Sequence, residues 1–350
     1  MSIKPPFLFK MYAVIGLFLF FISTVNAQTS SDLVYMNGGA LAYRPYANQG
    51  QFNAMNTIPD FSYAGYKQGG VALPNVPVVK TISPVSGDNT ESIQNTIDYV
   101  EALPIDSNGI RGAILLKAGN YEVNGILYIK ASGVVIRGEG QGSTGTVLHA
   151  NKTVQYDFLK IGNPSATGLH ENRNTTQRIT TPYVPVGTNS FKVADASGFM
   201  VGDLISVKKT VNQKWIDDLG MGQAQLCGSE MPPQCVGWTP KNYSLKYERI
   251  ITNISKNTIT INIPIVDAIE TLYGGGEVSK ASVSGRLSNC GVESLRIESA
   301  YTSETDENHL WKAICLQSVV NCWVKKVTCQ FMGYAAVSLY RSNFNTIEEC

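Results

Sequence analysis

Near its C-terminal end the sequence repeats itself. Asn289-Cys290-Gly291-Val292-Glu293-Ser294-Leu295-Arg296-Ile297 aligns with Asn321-Cys322-Trp323-Val324-Lys325-Lys326-Val327-Thr328-Cys329 at an offset of 32, apolar on apolar at each inward position. Ile347-Glu348-Glu349-Cys350 then follows Val324-Lys325-Lys326-Val327 at an offset of 23. Repeats of this length mean stacked coils, because one coil has no core of its own and must bury its apolar face on its neighbours. The same texture occurs earlier. Ala113–Leu116, Gly125–Ile129, Gly133–Ile136 and Gly145–Leu148 are short apolar runs broken by Gly or Asn with no helix between them. That spacing argues against a doubly wound α/β sheet and for an all-β solenoid.

The remaining segments differ in character. Residues 28–87 are rich in Gly, Asn, Pro and Tyr without helical period, and read as an extended segment lying on a body. One amphipathic helix follows, with Asp88 and Glu91 spaced as a capping box, Ile93, Ile97 and Val100 on one face and Leu103-Pro104 as its stop. It opens the first coils, 88–150. Residues 151–280 carry longer, hairpin-like strands. Arg249–Ile254 and Thr258–Ile263 are joined by Ser255-Lys256-Asn257, with Asn257 suited to a turn position of positive φ. This predicts an inserted antiparallel β subdomain, with further coils over 281–350. The sequence stops inside a strand pattern without a polar cap, so a piece of a longer protein is expected, with part of any active site absent.

Lys4 and Lys10, the apolar run Met11–Ile22 and Val25-Asn26-Ala27 fit the three regions of a secretory signal peptide cleaved after Ala27. The run is shorter than the roughly 18 residues of a spanning helix, so the mature chain is expected to be periplasmic or extracellular and free of the membrane. With 28 basic and 27 acidic residues and no Lys/Arg run, nucleic acid is excluded as a partner. Seven cysteines are present, without a metal-binding pattern. Cys227 and Cys235 bracket a Gly/Pro loop and are a candidate disulfide in an oxidising compartment. Cys290, Cys315, Cys322, Cys329 and Cys350 are expected to fill the core.

The stretch Gly119-Asn120-Tyr121-Glu122-Val123-Asn124-Gly125-Ile126-Leu127-Tyr128-Ile129, continued by Ser132–Gly140, resembles the N-terminal coils of the pectate-lyase-like superfamily. Ile58–Tyr66 and Asp306–Trp311 are similar to pieces of secreted bacterial members. The resemblance covers about 85–150 and resumes from about 283. It implies a right-handed parallel β-helix with an N-terminal capping helix. It further implies a carbohydrate-active protein, expected as a polysaccharide lyase on an acidic, uronate-containing glycan and as a monomer. A glycoside hydrolase or a non-catalytic glycan-binding surface protein on the same scaffold stay open, because this fold hosts many activities.

Lyase chemistry needs a uronate carboxylate neutralised, the adjacent proton removed and the leaving oxygen protonated, whereas a hydrolase needs two carboxyl groups flanking the bond. The densest candidate is the loop that lengthens one coil. Asp306 and Glu307 are candidates for acid–base work or for binding calcium, His309 for proton transfer and Trp311 for stacking on a sugar. His309→Ala is accordingly expected to leave the fold intact and lower turnover at least about 100-fold. Arg296, Lys325, Tyr340 and Arg341 are candidate substrate contacts on outward positions, and Lys326 and Glu349 are placed to pair. His149 and His170 read as structural. Trp215, with Asp217 and Asp218, and Trp238 read as packing more than as sugar binders.

Overall fold

The computed structural model describes residues 31–46, 55–222, 237–241 and 243–350. The signal-peptide reading of 1–27 and the Cys227–Cys235 pairing lie outside the described residues.

The sequence offsets are strand registers. Gly291–Ser299 pairs in parallel with Trp323–Gln330, Gly291 opposite Trp323 and Ile297 opposite Cys329. Trp323–Gln330 pairs in turn with Thr346–Glu348, Val324 opposite Ile347. On its other side Gly291–Ser299 pairs with both Val134–Arg137 and Thr146–Ala150, which themselves lie beside Gly112–Leu116 and Gly119–Val123. All these strands belong to one eight-stranded parallel sheet. A second, four-stranded sheet stacks Leu127–Ile129, Tyr156–Ile161, Leu310–Gln317 and Ala335–Tyr340, again in parallel. The chain is all-β with few helices. It passes from one sheet to the other and back, each turn lying on the previous one.

Alternation along the strands decides what is buried. Leu127, Leu159, Ile314 and Val337 form an inward row across the four-stranded sheet, facing Leu148, Leu295, Ile297 and Val327 of the larger sheet in one core. The corners between strands use single residues of left-handed conformation that stack at the same offsets. Asn289, Asn321 and Phe344 make one such column (φ 56°, 55°, 55°), and Ser294, Lys326 and Glu349 a second (φ 54°, 53°, 55°). Asn tolerates this conformation locally, whereas the stack imposes it on Phe and Lys. Next to the first column the bent backbone leaves amides that side chains of the next turn receive. Cys290 N–H donates to Cys322 Sγ at 3.4 Å, and Cys322 N–H to Asn345 Oδ1 at 2.9 Å.

The helix Thr90–Glu101 buries Ile93, Ile97 and Val100 against the first turn. No capping box forms. Asp88 Oδ1 instead accepts from Thr90 N and from Asn124 N of the first turn, and the N-cap is Asn89, whose side chain makes no capping bond. Residues 66–77 cross the outer face of the eight-stranded sheet. There Tyr66 and Val76 join Ala113, Val135 and Trp323 in a second small core, with Tyr66 edge-on to Trp323 at 5.5 Å. Trp323 thus points outward from the stack, and Gly291 on the neighbouring turn makes room for it, since a Cβ there would lie 2.4 Å from the ring.

Antiparallel pairing runs from His170, opposite Ser282, through Leu204–Lys209, Leu245–Ser255, Thr258–Ile261 and Gly276–Ser282. It has a separate core of Phe191, Ile205, Val207, Ile259, Ile261 and Val278. Tyr156–Ile161, earlier in the 151–280 stretch, belongs to the parallel stack. At the hairpin the positive φ falls on Lys256 (53°), not on Asn257. The Asn257 side chain is engaged elsewhere, donating to the Ala194 carbonyl at 3.0 Å.

Candidate functional site

The loop between Ser299 and Leu310 is closed by its own side chains. Asp306 Oδ2 accepts from Thr302 N at 2.9 Å and Thr302 Oγ at 2.8 Å, and Oδ1 accepts from Asn308 N at 2.8 Å. These bonds, the one from Thr302 N foremost, hold its pKa below the ordinary value. Glu307 is exposed, and its carbonyl accepts from Gln155 at 3.1 Å. His309 lies under the loop, 7% exposed, with Nδ1 at 3.0 Å from Ser299 Oγ. Ser299 Oγ also accepts from Leu310 N, so this pair fixes the point where the loop re-enters the sheet. Among the described residues no group of three or more His, Cys, Asp or Glu is placed to hold a metal ion, and Asp306 has both oxygens engaged. The calcium expectation therefore finds no ligand set there.

Trp311 falls at a register shift between Leu310 and Lys312. It stacks on Tyr334 with ring centres 5.6 Å apart and planes 11° from parallel. Next to it on the four-stranded sheet is a cluster of charges. Asp157 has Lys312 Nζ at 3.5 Å and Lys160 Nζ at 3.7 Å, too far for good hydrogen bonds, so neither ammonium is tied down. Tyr128, Lys160, Cys315 and Ser338 lie opposite one another in an outward row. A cleft of about 270 Å³ opens there, lined by Tyr128, Lys160, Asn163, Cys315 and Gln317. Burial, with Asp157 adding to it, pushes the Cys315 thiol up to about 12. Tyr340 sits opposite Gln317, with the Arg341 guanidinium 4.9 Å above its ring.

The structure thus brings Trp311, Tyr340 and Arg341 onto one sheet, and adds Tyr128, Asp157, Lys160, Lys312 and Tyr334. Arg296 and Lys325 lie on the other sheet, each engaged. Arg296 bonds Glu298 and Gln330, and Lys325 pairs with Glu348 at 2.7 Å, a bond that pushes the Lys325 pKa up. Lys326 pairs with Glu349 at 3.4 Å. His149 is flanked by Glu122 and Glu298 in register, with Nδ1 at 3.5 Å from Glu298 Oε2 and Nε2 at 3.3 Å from Asn120 Oδ1. His170 is exposed at the base of the antiparallel part. Trp215 and Trp238 stack together at 5.9 Å and Trp238 on Tyr243 at 4.1 Å, so the rings occupy one another. Asp217 accepts from Gln213, and Asp218 takes Lys214 at 2.8 Å and Tyr273 at 2.7 Å. Of the five described cysteines Cys290, Cys315 and Cys322 are buried, Cys329 half-buried and Cys350 exposed; Cys315, on the outward row, and Cys350 depart from the core-filling expectation.

No family model matches the chain, and no curated protein matches it significantly. Among solved structures it is similar to the Gp54 tailspike of Acinetobacter baumannii bacteriophage AP22 in complex with A. baumannii capsular saccharide, at 14% identity over 68% of this chain and 34% of that one, TM-score 0.33. It is also similar to the tailspike protein gp49 of Pseudomonas phage LKA1, at 15% identity over 72% and 33%, TM-score 0.38. A third is tailspike gp61 of Pseudomonas phage phi297, at 12% over 62% and 29%, TM-score 0.30. The chain spans about a third of the length of each. Likeness of this degree carries no argument for function.

Proposed function

We propose that the chain is an exported right-handed parallel β-helix, with an antiparallel subdomain inserted, that binds and cleaves an acidic polysaccharide by β-elimination on the outer face of its four-stranded sheet. The observation that carries this reading is the juxtaposition of Lys160 and Lys312, both loosely held around Asp157, with the Trp311–Tyr334 stack. Aromatic faces suit the apolar face of a sugar ring. Two lysines of matching reach suit a uronate, one neutralising its carboxylate and the other standing as the base for the adjacent proton. Asp157 keeps the two at a common distance. Asp306 acts in this reading as a loop support, because both its oxygens are engaged, and His309 as a buried one, held through Nδ1 by Ser299.

The second reading, hydrolysis, is favoured by one observation: Glu122 and Glu298 flank His149 on adjacent rungs. Two rungs put their backbones about 9.6 Å apart, just beyond the roughly 6.5–9.5 Å between inverting carboxyl groups, a difference that side-chain rotation can close. Incubation with a panel of acidic and neutral polysaccharides separates the outcomes. An ultraviolet band from a conjugated unsaturated uronate, lost at least about 100-fold in Lys160→Ala or Lys312→Ala with the fold kept, is the expected result. New reducing ends without that band, abolished by Glu298→Gln, would replace elimination by hydrolysis. Retained binding with neither product would leave a glycan-binding protein.

A further inference from the structure

We propose that Cys290 and Cys322 form a cystine that joins two neighbouring turns of the stack through its interior. The register leaves little freedom. Leu287 and Ser288 lie opposite Val319 and Val320, and Gly291 lies opposite Trp323, so Cys290 faces Cys322 across a single rung. Adjacent strands are about 4.8 Å apart, inside the roughly 4.4–6.8 Å that separates the Cα atoms of a cystine. In the structure both are free thiols and wholly buried, and Cys290 N–H reaches Cys322 Sγ at 3.4 Å. No other described cysteine competes. Cys315 faces outward from the other sheet, Cys329 lies opposite Ile297, and Cys350 donates to the carbonyls of Glu348 and, on the neighbouring turn, Val324. The two thiols also differ chemically. The side-chain bond from Cys322 lowers the Cys290 pKa, while burial and that bond raise Cys322's.

The exchange balances with a disulfide donor, either a thiol–disulfide oxidoreductase or oxidised glutathione. The thiolate of one cysteine attacks one donor sulfur and expels a donor thiolate. The other cysteine, once deprotonated, then attacks the first one's sulfur in the mixed disulfide and expels the second donor thiolate. The two protein thiols lose two electrons and two protons, and the donor disulfide is reduced to two thiols. Because both sulfurs are buried in the finished stack, the exchange takes place before the turn through Cys322 settles on the turn through Cys290. Its occurrence in the cell rests on the export reading of residues 1–27; its geometry does not.

Two samples test it. The full chain is recovered from cells that express it with residues 1–27 in place, and a reduced, denatured sample of the same chain is refolded in a glutathione redox buffer. Both are alkylated in denaturant without reductant, digested and mapped by mass spectrometry. The expected result in both is one peptide pair joined through Cys290 and Cys322, two hydrogens lighter than the sum of its parts, and a melting temperature lowered by reductant. Alkylation of both cysteines in the refolded sample overturns the proposal. A link in the refolded sample with free thiols in the cellular one upholds the cystine and overturns the export reading.

Discussion

Gly291 and Trp323 show how a single position fixes a rung. The indole lies over the backbone of the neighbouring turn, with Nε1 donating to Glu293 Oε1 at 2.7 Å, and Arg137 Nε donating to Glu293 Oε2 at 2.5 Å. A methyl group at 291 meets that ring, and the ring is enclosed by Tyr66 and Val76 and has nowhere to move. Gly291→Ala is therefore expected to cost about 1–3 kcal/mol by overpacking. Urea denaturation measures the loss, and in a Trp323→Leu background the same substitution should cost less than half as much. His309 makes a contrasting case. As a buried imidazole bonded to Ser299, it contributes to the closure of the loop, and His309→Ala is expected to cost about 1–3 kcal/mol through the lost hydrogen bond and the space left empty. In the folded fraction, turnover per molecule should stay within a few-fold of the parent. A 100-fold loss in a fully folded variant would return His309 to the chemistry.

At the scale of elements, the loop from Ala300 to His309 is ordered by one carboxylate. Asp306 gathers Thr302 N and Oγ and Asn308 N, and these bonds depress its pKa below the ordinary 3.8. A group depressed in the folded state contributes order that is fully present above its ordinary value and is lost as pH falls through the lower, folded value. Protection of the Thr302 and Asn308 amides, relative to their intrinsic exchange rates, should thus be high at neutral pH and fall below about pH 4. In Asp306→Asn it should be low at both. Equal protection of this variant at neutral pH would show that the loop is held by other contacts. The elements themselves were unequally legible. Parallel turns could be read directly, because an offset that aligns apolar residues is a register. The corner columns were half legible: Asn289 and Asn321 suit a left-handed corner, whereas Phe344, Lys326 and Glu349 occupy one because the stack requires it. The charged cluster was missed for another reason. Tyr128 and Lys160 are 32 apart, the spacing already seen between Cys290 and Cys322, but Lys160 and its next partner Cys315 are separated in sequence by the antiparallel segment. Repeat arithmetic cannot bridge that gap, and the two lysines come together only in three dimensions.

For the whole molecule, the two larger cores decide how it comes apart. The stack encloses one, in which Ile314 touches the rows above and below and is fully buried. The antiparallel part encloses another, and Ile259 and Ile261 lie in it without joining the first. A polar link joins them in the paired bonds of Arg286 to Glu248 at 2.8 Å, and the N-terminal segment adds one to the antiparallel part, Asn56 accepting from Val186 N at 2.9 Å. Polar links of this kind hold orientation but transmit little of the cost of a cavity, whereas a cavity within one core is felt throughout that core. Truncating either isoleucine removes about 2–5 kcal/mol from the core that holds it. Ile261→Ala should therefore speed amide exchange at Val207 and Val278 while leaving Leu295 and Ile297 protected as in the parent. Ile314→Ala should do the reverse. If either variant accelerates exchange in both sets equally, the molecule unfolds as one cooperative unit, and the polar links between the cores carry more coupling than their geometry implies.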